Sequence, residues 1–158
     1  MTSQHFSPDV QEFLQLLARF QVQYLIVGGE AVIYHGYARL TGDIDFFYHA
    51  TPDNVQNLYE ALKLFWGGQV PAVQNHAELL QPGLVLQYGR PPNRIDLINA
   101  IAGVSFSDAW QSKIREEIQV AGKAVPVYYI GLDALIKNKE AAGRDKDRDD
   151  LRFLRRKK

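Results

Sequence analysis

The sequence predicts an α+β fold, with a small mixed, largely antiparallel sheet and helices packed mostly on one face. Short apolar runs rich in β-branched and aromatic residues alternate with stretches that repeat at the helical period. Two of the helical stretches open with a Ser or Thr followed by Pro and Asp. The chain has 158 residues, which is enough to bury one hydrophobic core without disulfides. We therefore predict a single domain over residues 1–158, with C-terminal helices in residues 131–158 packed on it.

Two capping signals set the long helices of the first half. Ser7-Pro8-Asp9 predicts a helix over residues 8–20, and Thr51-Pro52-Asp53 predicts another that ends at the glycines 67 and 68. The segments between these helices are predicted as strand, helix and strand over residues 24–27, 30–37 and 43–47.

The second half is predicted as strands followed by helices. Residues 72–80 predict a short helix, and residues 84–88 and 94–98 predict two strands that can form a hairpin. Ser107 caps a short predicted helix that runs through Trp110, and residues 114–120 fit either a helix or a strand. Residues 125–130 predict an edge strand, because Pro126 has no N–H to donate to a ladder. Two further helices are predicted from residue 131 to 142 and from 147 to 156.

The composition limits the class of protein. The chain has no cysteine, which excludes disulfides, thiolate metal sites and cysteine nucleophiles and fits a reducing cytoplasm. No apolar run approaches the length of a membrane span, and the N-terminal residues MTSQHFSPD lack the pattern of a signal peptide. We therefore expect a cytoplasmic protein with no membrane partner.

Charge is unevenly distributed along the chain. The net charge is zero, but residues 137–158 contain ten Lys or Arg and five Asp or Glu, a balance of +5. This basic end suits a polyanionic substrate such as a nucleoside triphosphate. The alternative is a solvated helix with a basic tail, which is the interpretation we favour for residues 155–158. The sequence shows no stripe of alternating aromatic and basic residues, so it does not predict a nucleic-acid track.

Asp43 and Asp45 carry the clearest chemistry. They stand two apart in a predicted strand, so both carboxylates project to one face, while Ile44 and Phe46 project to the other. Adjacent carboxylates repel each other unless a proton or a cation lies between them. A divalent metal is the simplest explanation. Mg²⁺ fits best, because it prefers oxygen ligands and is commonly held by one or two carboxylates plus substrate phosphates. Mn²⁺ is the alternative.

Gly28 and Gly29 connect the first strand to a helix. This geometry offers open backbone N–H groups and the positive end of a helix dipole, which together suit an anion. Phosphate at the glycines and metal at the aspartates would bind a metal–nucleotide. Glu30 follows in the first helical turn, and its carboxylate would repel a triphosphate unless it points away.

The order of these residues resembles the nucleotidyltransferase superfamily, whose catalytic palm resembles that of DNA polymerase beta. The matching pattern is Gly28-Gly29, a short helix ending in His35-Gly36, and then Arg39-x-Thr41-x-Asp43-x-Asp45. Within the superfamily, the chain looks closest to the small branch that includes abortive-infection nucleotidyltransferase toxins. The resemblance implies a third carboxylate on a neighbouring strand. Asp96, between Ile95 and Leu97, is the candidate.

The resemblance implies Mg²⁺-dependent transfer of a nucleoside monophosphate from an NTP to an acceptor hydroxyl. Asp43, Asp45 and Asp96 would be the catalytic residues and would hold two metal ions. The residues expected to meet the nucleotide are Gly28, Gly29, Arg39, Thr41 and Lys139. The acceptor is open between RNA such as tRNA, a protein and a small molecule, and a partner protein in a toxin–antitoxin pair is allowed.

The role of Lys139 is implied by the resemblance alone. Residues 135–151 look like the C-terminal motif of the same branch, in which Lys139 would steady the triphosphate with Arg144 and Lys146 nearby. Residue chemistry by itself favours an exposed charged helix held by pairs at four-residue spacing. For Arg39, the alternative to a phosphate contact is an ion pair with Asp43 or Glu30.

Two other classes of function fit the same residues. The first is a non-catalytic nucleotide- or partner-binding module with a degenerate nucleotidyltransferase fold, which Gly29 followed by Glu30 favours. The second is a metal-dependent phosphohydrolase, which would use similar acids but would label no acceptor.

Overall fold

The computed structural model describes residues 5–158. In this part of the chain there are six α-helices: α1 Pro8–Arg19, α2 Gly28–Tyr34, α3 Pro52–Phe65, α4 Phe106–Gln111, α5 Leu132–Ala142 and α6 Asp145–Arg156. The six strands are β1 Tyr24–Val27, β2 Asp43–Tyr48, β3 Val85–Tyr88, β4 Arg94–Ile98, β5 Ile114–Val120 and β6 Lys123–Tyr129. Within residues 72–80, where a helix is predicted, only a short 3-10 helix forms, at His76–Leu80.

The strands form one mixed sheet in the order β3-β4-β2-β1-β6-β5. The pairings of β1 with β2, β3 with β4 and β5 with β6 are antiparallel. The pairings of β1 with β6 and β2 with β4 are parallel. The predicted α+β class with a largely antiparallel mixed sheet is therefore confirmed.

Helices cover both faces of the sheet, whereas the sequence predicts them mostly on one face. The cause is visible in β1, whose four residues are all buried. Tyr24 and Ile26 join a core formed with α1 and α3. Leu25 and Val27 join a second core formed with α2, α4, α5 and α6. A strand that is apolar on both faces needs cover on both sides.

Side-chain caps begin three of the helices. The hydroxyls of Ser7 and Thr51 accept hydrogen bonds from backbone N–H groups three residues later, as predicted. The cap of α4 is Ser105, whose hydroxyl accepts from the Asp108 N–H, so the prediction of Ser107 is wrong by two residues. An acceptor at this position satisfies an N–H that has no partner inside the helix.

The prediction of β6 as an edge strand is also wrong. The edge strands are β3 and β5, and β6 lies between β5 and β1. Pro126 is tolerated there because pairing with β1 is confined to the far end of the strand, where Tyr129 meets Ile26. Ile114–Val120, which the sequence leaves open, is a strand because it forms a hairpin with β6.

Within residues 5–158, the structure contains no helix with the length and apolar character needed to cross a bilayer.

Candidate active site

The strand pairing brings three carboxylates together. In the parallel pairing of β2 with β4, Asp45 lies opposite Asp96 and Asp43 lies opposite Arg94. Ile44 and Phe46 turn into the first core, as do Ile95 and Leu97, so the acids share the other face. Asp43, Asp45 and Asp96 each offer an oxygen, and these oxygens lie within 4.8 Å of one another. Such a set of hard oxygen donors has the chemistry that Mg²⁺ and Mn²⁺ prefer.

The three carboxylates repel one another. Burial, followed by the charges of Asp43 and Asp96, raises the pKa of Asp45 to about 7. The ammonium of Lys146 opposes these effects. A carboxyl that is hard to ionise because of its neighbours is a group that a bound cation would relieve. The three residues therefore fit a divalent metal ion.

Arg94 is the residue of this site that the sequence analysis misses. Its guanidinium donates to both oxygens of Asp96, at 2.9 and 3.1 Å, and to Asp43 Oδ2 at 2.6 Å. The sequence carried a signal for it, because Arg94 and Asp96 stand two apart in a strand and so share a face. The positive charge of Arg94 partly neutralises the acids from within the chain.

Position 28 requires glycine because the backbone there lies close to the side chain of Asp45. Its φ is +65°, a left-handed conformation that favours glycine, and a Cβ at this position would collide with Asp45 Oδ2. Helix α2 begins at Gly28, two residues before the predicted start, so the glycine pair forms its first turn. The backbone at the end of β1 therefore packs directly against a carboxylate of the site.

Gly29 packs against the segment that leads into β2. A Cβ on Gly29 would lie 2.6 Å from Thr41 Oγ1 and 3.3 Å from a terminal nitrogen of Arg39. The Thr41 hydroxyl in turn donates to the Asp43 carbonyl at 3.3 Å. Glu30, the carboxylate expected to repel a phosphate, is hydrogen-bonded to His5 Nε2 at 2.8 Å.

Arg39 and Lys139 are engaged by acids of α6. Arg39 donates to both oxygens of Asp150, at 2.9 and 3.1 Å, so its partner is neither Asp43 nor Glu30. The Lys139 ammonium is 2% exposed and lies 3.0 Å from Asp147 and 3.1 Å from Asp150. A direct contact of Lys139 with a phosphate stays a prediction, and it would require these two ion pairs to open.

Two exposed cations whose charges act on the carboxylates of the site lie at the start of α6. Lys146 is exposed, and its charge acts on Asp45. Arg144 is 58% exposed, and its guanidinium donates to Asp147 Oδ2 at 2.8 Å. The first turn of α6 is therefore a better source of mobile positive charge at the site than the buried Lys139.

The ion pairs of Asp147 predict that the folded protein loses stability in acid. Burial alone would raise its pKa, but hydrogen bonds from Arg144 and Lys139 outweigh that effect and lower the pKa to about 2. A lowered folded-state pKa gives stability that is present above the unfolded pKa of about 4 and is lost as pH falls towards 2. We expect Asp147 to account for about 2 kcal/mol of this loss. Urea unfolding of wild type and of Asp147→Asn at pH 6, 4 and 3 measures it. If the free energy of unfolding of Asp147→Asn falls with pH as steeply as that of wild type, the expectation is wrong.

Replacing Gly28 by alanine tests the packing against Asp45. The matched control is Gly122→Ala, because Gly122 has φ +79° and open space around its Cβ position. Both variants carry the left-handed penalty of about 1–2 kcal/mol. Only Gly28→Ala is expected to cost at least about 1 kcal/mol more, since the new methyl displaces the Asp45 carboxylate. Thermal unfolding of the two variants gives the difference in stability. Equal losses of stability would show that the Asp45 side chain moves aside at no cost.

Comparison with known families agrees with this geometry. The model of a family described as "Nucleotidyltransferase of unknown function (DUF6036)" matches residues 8–154. The match covers every strand of the sheet and all three carboxylates, and it confirms the resemblance to the nucleotidyltransferase superfamily. No curated protein matches the chain. The chain belongs to this family of nucleotidyltransferases.

Proposed function

We propose that the chain is a metal-dependent nucleotidyltransferase that moves a nucleoside monophosphate from an NTP to an acceptor hydroxyl. The observation that carries the proposal is the convergence of Asp43, Asp45 and Asp96 within 4.8 Å, with burial and like charge raising the pKa of Asp45 to about 7. A site built of mutually repelling carboxylates suits a substrate that arrives together with cations.

The residues of the chain have separate parts in this proposal. Asp43 and Asp45 would hold Mg²⁺ or Mn²⁺, and Asp96 would complete a second site and orient the acceptor hydroxyl. The bound ions would supply charge neutralisation on the attacking and leaving oxygens. Gly28 and Gly29 would present backbone N–H groups to the phosphates.

Side chains outside the three acids would position the triphosphate. Thr41 fixes the backbone at Asp43 through its hydroxyl. Arg39 would face the phosphates beside Gly29, near which its terminal nitrogen lies. Lys139 would act through the aspartates that it binds, unless substrate binding opens those pairs. The hydrogen bonds of Arg94 to Asp43 and Asp96 would break when cations bind these carboxylates.

The finer points rest on resemblance. The acceptor would be RNA, a protein or a small molecule. The chain would work in the cytoplasm, because a protein without cysteine fits a reducing compartment. A role in a toxin–antitoxin pair is part of the same proposal. A non-catalytic binding module is the second candidate, and the engagement of Arg39 and Lys139 by buried aspartates favours it.

The test is a calorimetric titration with each of the four NTPs, with and without MgCl₂. Wild type is expected to bind at least one NTP in a Mg²⁺-dependent manner. The Asp43→Asn/Asp45→Asn protein is expected to lose that binding by at least about 100-fold, since each substitution removes a charged ligand. The control is Asp53→Asn/Asp108→Asn, which removes two exposed carboxylates away from the site.

Transfer is then measured with an α-labelled NTP and a cell extract as the source of acceptor. Label that enters an acceptor and depends on the acids supports the enzyme. Metal-dependent NTP binding without labelling supports the binding module. Well-folded wild type that binds no NTP would overturn the three-aspartate active site and would favour a module that binds a partner instead of a nucleotide.

A further inference from the structure

Helix α6 carries arginines at regular four-residue spacing. Arg144 precedes the helix, and Arg148, Arg152 and Arg156 follow along it; we call these four residues the arginine stripe. Residues four apart lie on the same side of a helix, about 6 Å apart along its axis. Arg148 and Arg152 are 73% and 74% exposed, and Arg144 is 58% exposed.

Apart from Arg144, whose guanidinium binds the buried Asp147, the positive charge of the stripe is only weakly cancelled. Arg148 and Arg152 pair with Asp145 and Asp149 at 3.6 and 3.7 Å, in exposed positions where such pairs contribute little. The other two acids of the helix, Asp147 and Asp150, are buried against Lys139, Arg39 and Arg144. Residues 137–158 have ten basic and five acidic side chains, a balance of +5 on a chain of zero net charge.

An aromatic platform lies beside the stripe. Tyr37, from the segment after α2, stacks on Phe153 with ring centroids 4.6 Å apart and planes at 14°. A shallow cavity of about 170 Å³ is lined by these two rings with Asp149, Arg152 and Arg156. The sequence hides this combination because Tyr37 and Phe153 are far apart in the chain and only the fold brings them together.

The stripe starts at the candidate active site. Arg144 and Lys146 stand at the beginning of α6 and both interact electrostatically with Asp45. From Arg144 to Arg156 the stripe extends about 18 Å, at about 1.5 Å per residue. This exceeds the length of a triphosphate and is long enough to meet several phosphates of one strand.

We propose that the arginine stripe and the Tyr37–Phe153 platform bind a single-stranded nucleic acid, with the phosphates on the arginines and a base on the rings. A regular row of cations beside a stacking surface is the arrangement that holds single strands without reading their sequence. An acidic protein would need no aromatic platform. The binding itself does not depend on catalysis; that the strand is the acceptor rests on the proposed function.

The experiment is a fluorescence-anisotropy titration of a labelled 12-nucleotide RNA of mixed sequence, without NTP and with EDTA, over a series of KCl concentrations. The test variant is Arg148→Gln/Arg152→Gln/Arg156→Gln. The control, Arg19→Gln/Arg115→Gln/Lys123→Gln, removes the same charge from exposed residues elsewhere. We expect the test variant to bind at least about 10-fold more weakly, with the salt slope reduced by about 2–3, and the control to bind within about twofold of wild type.

Further outcomes separate the alternatives. Tyr37→Ala is expected to weaken binding without changing the salt slope, because it removes stacking and no charge. No RNA binding by wild type at 50 mM KCl, equal losses in the two triple variants, or tighter binding of a polyglutamate peptide would each overturn the proposal. The Asp43→Asn/Asp45→Asn protein is expected to bind RNA at least as tightly as wild type, so the inference is tested even if NTP transfer fails.

Discussion

Replacing Lys139 by methionine is expected to lower the free energy of unfolding by about 3 kcal/mol, which corresponds to about 6–12 °C in the unfolding temperature. The ammonium is 2% exposed and lies between Asp147 and Asp150, both almost fully buried. Removing a buried cation leaves its partners partly uncompensated, which costs more than the pair contributed. The loss is at the lower end of the usual range because Arg144 and Arg39 still bind the two aspartates.

Two further variants make the Lys139 result specific. Lys137→Met removes an exposed lysine from the same helix and is expected to change stability by less than about 0.5 kcal/mol. Adding Asp150→Asn to Lys139→Met is expected to restore part of the loss, because it removes one uncompensated charge. Urea unfolding measures all three. A Lys139→Met protein as stable as wild type, but with greatly weakened NTP binding, would instead support the direct phosphate contact implied by the family resemblance.

Replacing Asp45 by asparagine is expected to stabilise the metal-free protein by about 2–3 kcal/mol at pH 8, and to abolish its stabilisation by Mg²⁺. Burial and the charges of Asp43 and Asp96 raise the pKa of Asp45 to about 7, so ionising it costs folding energy. A raised folded-state pKa in an acid means that stability is lost as pH rises from the unfolded value of about 4 through 7. Asparagine removes that loss, so the gain shrinks as pH is lowered towards 4.

The Asp45 measurement is chemical unfolding at pH 8, 6 and 4.5, in EDTA and in MgCl₂. Asp53→Asn, at an exposed carboxylate, is the control for the loss of a negative charge. Arg94→Gln acts on the same carboxylates with the opposite sign, because it removes the cation that neutralises Asp43 and Asp96. If Asp45→Asn destabilises the metal-free protein at pH 8, the carboxylate is held by favourable contacts and the account of the site as electrostatically strained is wrong.

The pattern of the strands made the core of the site predictable. Asp43 and Asp45 alternate with Ile44 and Phe46, and period-two alternation decides which face a side chain takes. The same alternation around Asp96 placed it beside them once β4 was assigned to the sheet. Local capping signals likewise gave the starts of α1 and α3.

Contacts between distant segments were not predictable. Arg39 and Asp150 are separated by 111 positions, and nothing near either residue indicates its partner. The insertion of β6 between β1 and β5 depends on how the whole sheet assembles, which Pro126 alone could not decide. Arg94 is different, since its spacing of two from Asp96 within a strand is enough to predict that the two side chains share a face.

The pairing of β6 with β1 has a consequence for synthesis of the protein. Ile26 pairs with Tyr129, so one edge of β1 has no partner strand until the residues of β6 have been synthesised. An unpaired apolar edge is a site for wrong associations during folding. We therefore expect the ribosome-bound chain, rather than the finished protein, to be the form most in need of a chaperone.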